Sequence, residues 1–349
     1  MKISKTNPLN QRTTSSLNLT QLGFGGAPLG NLYRKIEDAD AQATLDAAWD
    51  AGIRYFDTAP QYGLGRSEMR FAEGLARFDL DQLTLSTKVG RLLEDCAPED
   101  VTPEAFVDVP QKRIVFDFTY DGIMRSVDES IARLGTDKID MLFLHDIDAG
   151  TNGQLFEDNN LSQLFSQGGY RALSELRDAD RIMAIGAGVN TWQICERLLN
   201  EADFDGFLLA GRYTLLEQEP LDTFLPLCVK RDVGIILGGP YNSGILATGA
   251  IKGARYDYAP ASEEILQRVR ELNAVCAAHN TPLIAAALQF PLGHAAVKSV
   301  IPGASTPDEV RQNVEIFETP IPAGLWSDLK SQGFIRQDAP IPEESPIAS

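Results

Sequence analysis

Histidine, cysteine and positive charge are scarce in this sequence. Its 349 residues include three histidines and four cysteines, and 31 Lys+Arg stand against 49 Asp+Glu, which gives a net charge of -18. No C-x-x-C pair and no H-x-H motif occurs, so neither a zinc site nor a disulfide framework is expected. A surface of this charge repels phosphate backbones and anionic lipid, which argues against nucleic-acid and membrane partners.

Long apolar runs are also missing. The N-terminal segment MKISKTNPLNQRTTSSLNLT is polar and lacks the apolar stretch of a signal peptide. No run approaches the roughly 20 residues of a membrane helix. The content of 44% hydrophobic and 23% charged residues is typical of a globular protein. We therefore expect a cytoplasmic protein with a single domain over residues 1–349.

Short apolar segments alternate with amphipathic helical ones along the whole chain. The apolar segments are LTQLGFGG, IRYFDTA, QLTLSTKVG, KIDMLFLHDID, IMAIGAGVN, FDGFLLAG, VGIILGGPYNSG and KSVIPGAS. The helices expected between and after them lie near Asp38–Ala51, Ser67–Arg77, Tyr120–Leu134, Gly169–Asp178, Trp192–Asn200, Pro220–Arg231, Ser262–His279, Pro282–Leu292 and Pro307–Phe317. Near-continuous apolar strands are typical of a parallel sheet covered on both faces.

Eight such strand–helix units predict an α/β fold, a closed (β/α)8 TIM barrel. The alternative is an open doubly wound sheet of the dinucleotide-binding type. That fold would need a third glycine where Pro28 stands in GFGGAPLG, so the barrel is favoured. A long insertion at 92–118 and a Pro-rich tail at 334–349 are the two departures from the repeating pattern.

Four polar residues fall at the ends of three successive strands or just beyond them. Asp57 ends the second strand, Tyr62 follows in the next loop, Lys88 ends the third strand and His145 ends the fourth. In a barrel these ends meet at one mouth, where catalytic groups are found. Taken singly, each has a structural explanation: a turn cap, a loop aromatic, a strand-end charge or a satisfied core histidine.

The segments YFDTAPQYG, LSTKVG and LFLHDID, which carry these four residues, resemble the aldo-keto reductase family. RSVDESIARLGTDKIDMLFLHD and IPGASTPDEVRQN match two further family segments, so the resemblance runs from about Thr20 to Asn313. It implies a catalytic tetrad, a nicotinamide cofactor and a small-molecule substrate. FVDVPQKRIVFDFTYDGIMRS and HDID are similar to members that oxidise sugars at C1, the D-threo-aldose or L-fucose dehydrogenases, with L-galactose and pyridoxal 4-dehydrogenases as neighbours.

The tetrad chemistry can be read from the residue types. A phenol has an ordinary pKa near 10, and an ammonium group beside it favours the phenolate. Asp57 would hold Lys88 in place, and Tyr62 would then act as general base in oxidation and general acid in reduction. His145 would hydrogen-bond to the reacting oxygen. The alternative for Asp57 and Lys88 is a purely structural ion pair.

The resemblance also implies cofactor contacts. NADP-dependent relatives have basic residues where this chain has Gly303 and Glu309, so we expect NAD, with NADP as the alternative through Arg311. Gly238 stands where relatives place the aromatic residue that stacks on the nicotinamide, which leaves that contact unassigned. The expected cofactor residues are Gly25, Gly26, Ala27, Asp57, Asn190, Ser243, Gly244, Gly303, Ser305, Glu309 and Asn313.

The substrate pocket is expected to include Tyr33, Tyr62, His145 and Trp192, with the 92–118 insertion and the tail. Two rival functions are weighed. One is a cofactor-binding regulatory subunit, which an intact tetrad disfavours without excluding. The other is a metal-dependent hydrolase, for which a single strand-end histidine is too few. The sequence leaves the oligomeric state open.

Overall fold

The computed structural model describes residues 5–9 and 17–342. Its strands are β1 (Thr6–Leu9), β2 (Leu17–Thr20), β3 (Phe24–Gly25), β4 (Tyr55–Asp57), β5 (Thr84–Val89), β6 (Arg91–Asp95), β7 (Lys112–Phe116), β8 (Met141–His145), β9 (Ala184–Val189), β10 (Gly206–Ala210), β11 (Gly234–Gly238), β12 (Arg255–Tyr256), β13 (Ala259–Pro260) and β14 (Val297–Ile301). Eight of them form one parallel sheet in the order β14-β11-β10-β9-β8-β5-β4-β3, and the others form three two-stranded antiparallel sheets.

The first and last strands of this sheet join, which closes the barrel. Parallel bridges link Leu22 with Val300 and Gly25 with Gly303. The amide of Gly23 donates to the Val300 carbonyl at 2.9 Å, and the amide of Val300 donates to the Gln21 carbonyl at 2.9 Å. The (β/α)8 barrel predicted from the sequence is confirmed, and the open doubly wound sheet is excluded.

Helices cover the outside of the barrel. The α-helices are α1 (Asp38–Asp50), α2 (Arg66–Leu75), α3 (Tyr120–Leu134), α4 (Ala149–Asn152), α5 (Gln154–Ser166), α6 (Gly169–Asp178), α7 (Trp192–Glu201), α8 (Phe224–Arg231), α9 (Ile245–Thr248), α10 (Glu263–Ala278), α11 (Leu283–Gln289), α12 (Pro307–Phe317) and α13 (Ala323–Ser331). Short 3-10 helices span Ala27–Gly30, Leu80–Gln82, Pro98–Asp100, Glu219–Leu221 and Phe290–Gly293. Within the described ranges no helix is both long and apolar enough to cross a bilayer.

The N-terminal hairpin β1–β2 fills the bottom of the barrel. Leu9, Leu17 and Leu19 pack in one buried cluster with barrel residues that include Met141 and Ala184, the first residues of β8 and β9. The segment LTQLGFGG, expected as one barrel strand, is divided. Its first two residues, Leu19 and Thr20, pair with β1, whereas Leu22 and β3 lie in the barrel.

The predicted insertion at 92–118 folds mainly as the antiparallel hairpin β6–β7. Its connecting segment returns to the loop after β3. The Tyr33 amide donates to the Ala105 carbonyl at 2.9 Å, and a bridge pairs Leu32 with Phe106. The insertion therefore forms a wall over one side of the barrel mouth.

The tail packs against the outside of the barrel. The Gln218 side chain donates to the Phe334 carbonyl at 3.0 Å and accepts from the Arg336 amide at 2.8 Å. Arg268 of α10 also donates to the Phe334 carbonyl, at 3.1 Å. Through residue 342 these contacts do not bring the tail to the tetrad, so its expected place in the substrate pocket is not supported. Residues 343–349 of the predicted tail lie outside the described residues.

A buried carboxylate ties α2 to its neighbours. Glu68 is fully buried, accepts from the Thr87 hydroxyl at 2.7 Å and pairs with Arg133 of α3 at 2.5 Å. Removing one partner of a buried ion pair leaves an uncompensated charge. We expect Arg133→Met to lower the free energy of unfolding by roughly 3–5 kcal/mol, measured by urea denaturation.

The control is Arg125→Met on the same helix. Arg125 is largely exposed and pairs with Glu129 at 2.7 Å, an arrangement that contributes little to stability. Equal losses of unfolding free energy in the two variants would show that the buried pair contributes no more to stability than the exposed one.

Candidate active site

Three strands and one loop bring the predicted tetrad together. Lys88, near the end of β5, donates from Nζ to Asp57 Oδ2 at 2.7 Å and to the Thr58 carbonyl at 2.9 Å. The second carboxylate oxygen of Asp57 accepts from the Ser86 hydroxyl at 2.7 Å. Asp57 and Lys88 are each 1% exposed. Since neighbouring parallel strands place both groups at the same sheet edge, the ammonium group is locked in one position.

A tight loop carries Tyr62 over this pair. Gly63 has φ +66, and a Cβ there would lie 2.2 Å from the Gly30 carbonyl oxygen, so only glycine allows this path. The Tyr62 ring centroid lies 4.6 Å from Lys88 Nζ and 5.9 Å from the His145 ring centroid. The phenol, the ammonium group and the imidazole therefore face one small volume at the barrel mouth.

Burial and charge act in opposite directions on these groups. Burial raises the pKa of Tyr62 above its ordinary value, while Lys88 acts to lower it. Burial likewise raises the pKa of Asp57 against the opposing effect of Lys88. For Lys88, burial lowers the pKa but the Asp57 and Tyr62 anions outweigh it, so the net pKa is raised. The expected influence of Lys88 on Tyr62 is present, but it does not overcome burial in this structure.

His145 is buried and neutral. Burial lowers its pKa well below the ordinary value, and the cations of Arg91 and Lys88 lower it further. Its Nδ1 atom is buried and has no hydrogen-bond partner among the described residues, whereas Nε2 lies 3.7 Å from Asp146 Oδ2. A buried N–H without an acceptor is costly, so the proton is assigned to Nε2. Nε2–H can then donate to an oxygen in the mouth.

Sequence reasoning missed several polar residues beside His145, which pair with one another and with Asn190, an expected cofactor residue. Arg91 pairs with Asp146 and, at 3.1 Å, with Glu104. Asn190 donates to the other Asp146 oxygen at 3.4 Å and accepts from the Tyr258 hydroxyl at 3.1 Å. The only sequence signal was position, since Arg91 closely follows Lys88 in the segment STKVGR and Asp146 follows His145.

The glycines after β3 are required by packing. A Cβ on Gly25 would lie 2.8 Å from the Ile301 carbonyl oxygen, and one on Gly26 would lie 2.6 Å from that of Asp57. The close approach expected for a cofactor is therefore already made by neighbouring strands. Ala27 begins the 3-10 helix that follows, and a Cβ on Gly303 would meet Pro28 Cγ at 2.7 Å.

Glu309 lies at the start of α12, as expected, but it has internal partners. Its carboxylate accepts from the Ser305 amide at 2.7 Å and from the Ser305 hydroxyl at 2.9 Å. Arg34, from the loop after β3, pairs with Glu309 at 3.1 Å and donates to the Ser305 hydroxyl at 2.6 Å. Arg311, the cation considered from the sequence, pairs with Asp308 instead. The cation nearest to Glu309 is therefore one that the sequence did not indicate.

The other expected cofactor residues are spread around the mouth. Gly238 ends β11, so this position supplies no aromatic ring for the nicotinamide. The Ser243 hydroxyl accepts from the Tyr258 amide at 2.9 Å. Space is open around a Cβ built on Gly244, and Asn313 on α12 accepts from the Tyr241 hydroxyl at 3.2 Å. An open rim with carboxylate, hydroxyl and amide groups fits a nicotinamide dinucleotide.

Two of the expected substrate residues, Tyr33 and Trp192, lie in different parts of the barrel. Tyr33 is 57% exposed beside the insertion, which agrees with a place at the mouth. Trp192 begins α7 and stacks on Phe224 of α8 with ring centroids 6.5 Å apart. Its packing lies in the helical layer, so a substrate contact is not supported. Phe106, which the sequence did not indicate, lies with its ring centroid 6.0 Å from that of Tyr62.

Among the described residues, no group of three or more histidine, cysteine, aspartate or glutamate side chains could hold a metal ion. The cysteines in this part of the chain are free, and three of the four are buried, as expected of core residues.

Comparisons with known proteins identify the family. The profile of the Aldo/keto reductase family matches residues 21–332. The chain is similar to pyridoxal 4-dehydrogenase from Microbacterium luteolum, with 44% identity covering 92% of this chain and 96% of the relative. It is also similar to D-threo-aldose 1-dehydrogenase from Pseudomonas sp, with 40% identity and coverages of 92% and 96%.

The fold has a solved counterpart. The holo form of an aldo-keto reductase from Bacillus halodurans superposes with a TM-score of 0.72 at 25% identity, covering 94% of this chain and 96% of that one. Together with the barrel, the family match and the dehydrogenase relatives identify an NAD(P)-dependent oxidoreductase. The chain belongs to the aldo/keto reductase family.

Proposed function

We propose that this enzyme oxidises an aldose at C1, of the L-fucose or D-threo-aldose type, to the corresponding lactone, with Tyr62 as the general acid/base. The observation that carries the proposal is the position of Lys88. Its ammonium group is held by Asp57 and the Thr58 carbonyl and lies against the Tyr62 ring. A fixed cation under a buried phenol favours the charge that a base must carry.

The chain's own residues account for the proton and the orientation of the substrate. His145 donates from Nε2 to the C1 hydroxyl oxygen and fixes it beside Tyr62. The Tyr62 oxygen takes the hydroxyl proton as the C1–O bond becomes a carbonyl. A nicotinamide dinucleotide held at the rim by Ser305, Glu309 and Asn313 would supply the acceptor for the hydride from C1. Lys88 and Asp57 stabilise the phenolate and remain unchanged through the reaction.

The compounds named for the two dehydrogenase relatives belong to one chemical class. Their names specify pyridoxal and a D-threo-aldose as the compounds oxidised. Both compounds carry an aldehyde that one of their own hydroxyl groups can close into a cyclic hemiacetal. Oxidation of a hemiacetal hydroxyl gives a lactone in either case. The proposal for this chain is therefore oxidation of a cyclic hemiacetal, with an aldose as the first candidate.

Pyridoxal is the second candidate because the pyridoxal enzyme is 44% identical to this chain. L-galactose is the third. A cofactor-binding regulatory subunit is the alternative of another class, and it predicts cofactor binding without turnover.

The test is turnover with a panel of L-fucose, D-arabinose, L-galactose and pyridoxal, followed by the absorbance of the reduced nicotinamide. Turnover of one aldose with lactone as product supports the proposal. Turnover of pyridoxal alone moves the assignment to the second candidate. Cofactor binding without turnover of any compound supports the regulatory alternative.

We further propose NAD as the preferred cofactor, because Glu309 places a carboxylate at the rim where a 2′-phosphate would lie. The Glu309→Gln substitution should raise kcat/KM for NADP by about tenfold, the equivalent of about 1.4 kcal/mol, since it removes a repulsion and frees Arg34. Steady-state kinetics with both cofactors measures this change.

Glu315→Gln is the matched control, since Glu315 is an exposed carboxylate further along the same helix. It should leave the ratio of NAD to NADP activity unchanged. A Glu309→Gln enzyme with the same ratio as the unaltered protein would contradict the role given to Glu309.

A further inference from the structure

Arg91 is a buried cation that the proposed chemistry does not use. Its side chain is 3% exposed, and its guanidinium lies over the Phe116 ring at 5.0 Å from the centroid. A charged group is found at such a position only when it is paired. Its two anionic partners are Asp146 and the more exposed Glu104.

The backbone fixes Arg91 next to the end of β8. Gly90, with φ +92, turns the chain from β5 into β6, and a Cβ there would lie 2.1 Å from the Phe118 ring. Asp146 follows β8 with φ +47, and its amide donates to the Gly188 carbonyl at 3.0 Å. Both side chains are therefore held by constrained backbone rather than by mobile loops.

One oxygen of Asp146 lies between a cation and the imidazole. Oδ2 pairs with Arg91, and the same atom lies 3.7 Å from His145 Nε2, too far for a hydrogen bond. Nε2 is the nitrogen to which the proton was assigned above. A carboxylate at this position would capture Nε2–H if it moved closer by less than 1 Å, on the order of a side-chain adjustment.

We propose that Arg91 is a positioning residue: it holds the Asp146 carboxylate away from His145 and so leaves Nε2–H free for the reacting oxygen of the substrate. The catalytic consequence of this proposal rests on the function proposed above. Its structural part concerns only the protonation of the His145 imidazole. Without Arg91, Asp146 would pair with His145 and hold it as an imidazolium ion.

The surrounding charges support this arrangement. The ionisable groups facing His145 are Arg91, Lys88, Asp146 and Tyr62. The pKa of Asp146 is raised to about 6, because the effect of burial, with smaller contributions from Asp148 and Glu104, exceeds the lowering by Arg91 and Lys88. Removal of Arg91 withdraws one of the two cations that disfavour the imidazolium ion, which raises the pKa of His145.

The experiment compares Arg91→Met with Arg91→Met/Asp146→Asn. Imidazole signals are followed by NMR during a pH titration, and the three histidines of the chain keep the spectrum simple. We expect the titration of His145 to move up toward its ordinary range in the single variant. In the double variant it should return toward that of the unaltered protein, because the carboxylate that would capture the imidazole is gone.

The pH profile of kcat/KM gives a second readout. For Arg91→Met we expect a loss of about tenfold below the new pKa of His145, with recovery as the pH rises through it. The sign follows because the imidazolium form is the one held by Asp146. The double variant should regain most of the loss, and Arg91→Lys, which keeps a cation beside Asp146, should lose less than Arg91→Met.

An unchanged His145 titration in Arg91→Met would overturn the proposal. So would a higher KM that Asp146→Asn does not relieve, since this assigns Arg91 to direct substrate binding. If Arg91→Met does not fold, Arg91→Lys is compared with Arg91→Lys/Asp146→Asn instead. A slight upward shift of the His145 titration in Arg91→Lys that Asp146→Asn reverses supports the proposal. A shift that Asp146→Asn does not reverse overturns it. NMR needs no turnover, so a failed substrate panel with a shifted titration would reject the proposed function alone.

Discussion

Replacement of Tyr62 by phenylalanine is expected to reduce kcat by about 10³-fold or more while leaving cofactor affinity nearly unchanged. The substitution removes one oxygen and keeps the ring that packs against Lys88 and Phe106. The phenol is the only group of the tetrad that the proposal uses to exchange a proton with the substrate. Turnover measures the first effect, and fluorescence titration with the cofactor measures the second.

Tyr120→Phe is the control for this substitution. Tyr120 begins α3, and its hydroxyl donates to Glu175 at 2.7 Å in an exposed position on the outside of the barrel. It should leave kcat within a few-fold of the starting value. If Tyr62→Phe behaved like Tyr120→Phe, the proton-transfer role of Tyr62 would be wrong.

Lys88→Met is expected to damage both activity and stability. The ammonium group lowers the pKa of Tyr62 against the effect of burial, so its loss raises that pKa further. Less phenolate is then present at any given pH, and the alkaline rise in the rate of oxidation moves to higher pH. We expect kcat at neutral pH to fall by at least about 10²-fold, as measured by a pH–rate profile.

The stability effect has a defined pH dependence. Asp57 would lose its buried partner, which costs roughly 3–5 kcal/mol of unfolding free energy. Its pKa is already raised by burial and would rise further without Lys88. A carboxyl group with a raised pKa in the folded state destabilises the protein above its unfolded pKa, so the deficit should shrink as the pH is lowered.

Two further variants separate the effects. Asp57→Asn/Lys88→Met removes the unpaired charge and should recover stability without recovering activity. Lys330→Met, at a partly exposed site on α13 where the ammonium group donates to the Gln337 carbonyl, should change neither. A Lys88→Met enzyme with an unshifted alkaline limb would contradict the electrostatic role of Lys88.

The sequence was sufficient to place the tetrad because its residues follow a simple geometric rule. Parallel strands end at one edge, so Asp57, Lys88 and His145 could be placed together from their positions in apolar segments. Tyr62 required the glycine-rich loop and the family resemblance as well. The ranges of α3, α6 and α12 were also predicted without error, since each has a clear amphipathic pattern.

Other elements of the fold could not be predicted, because they depend on contacts between distant segments or lack a clear pattern. The hairpin β1–β2 has strands of four residues whose apolar side chains find their place only under a closed barrel. The helix α5 was not predicted because its sequence, QLFEDNNLSQLFS, mixes polar and apolar residues without a clear face. The predicted helix Pro220–Arg231 is divided, with a 3-10 turn before α8.

The same limitation applies to the site. Arg91 precedes the predicted insertion and was not singled out, because its pairing with Asp146 across 55 residues of sequence has no local signal. Arg34 reaches Glu309 across 275 residues, so the neutralising partner of that carboxylate was also invisible. Charge pairs of this kind are set by tertiary structure, whereas strand-end positions are set by local pattern.

The most direct test of hydride transfer from C1 uses an aldose deuterated at that carbon. The sugar dehydrogenase account predicts that, with L-fucose or D-arabinose labelled at C1, the deuterium appears on the reduced nicotinamide. The sugar product should be the lactone, and Tyr62→Phe should abolish the transfer. Lactone formed without deuterium on the nicotinamide, or transfer that persists in Tyr62→Phe, would contradict it.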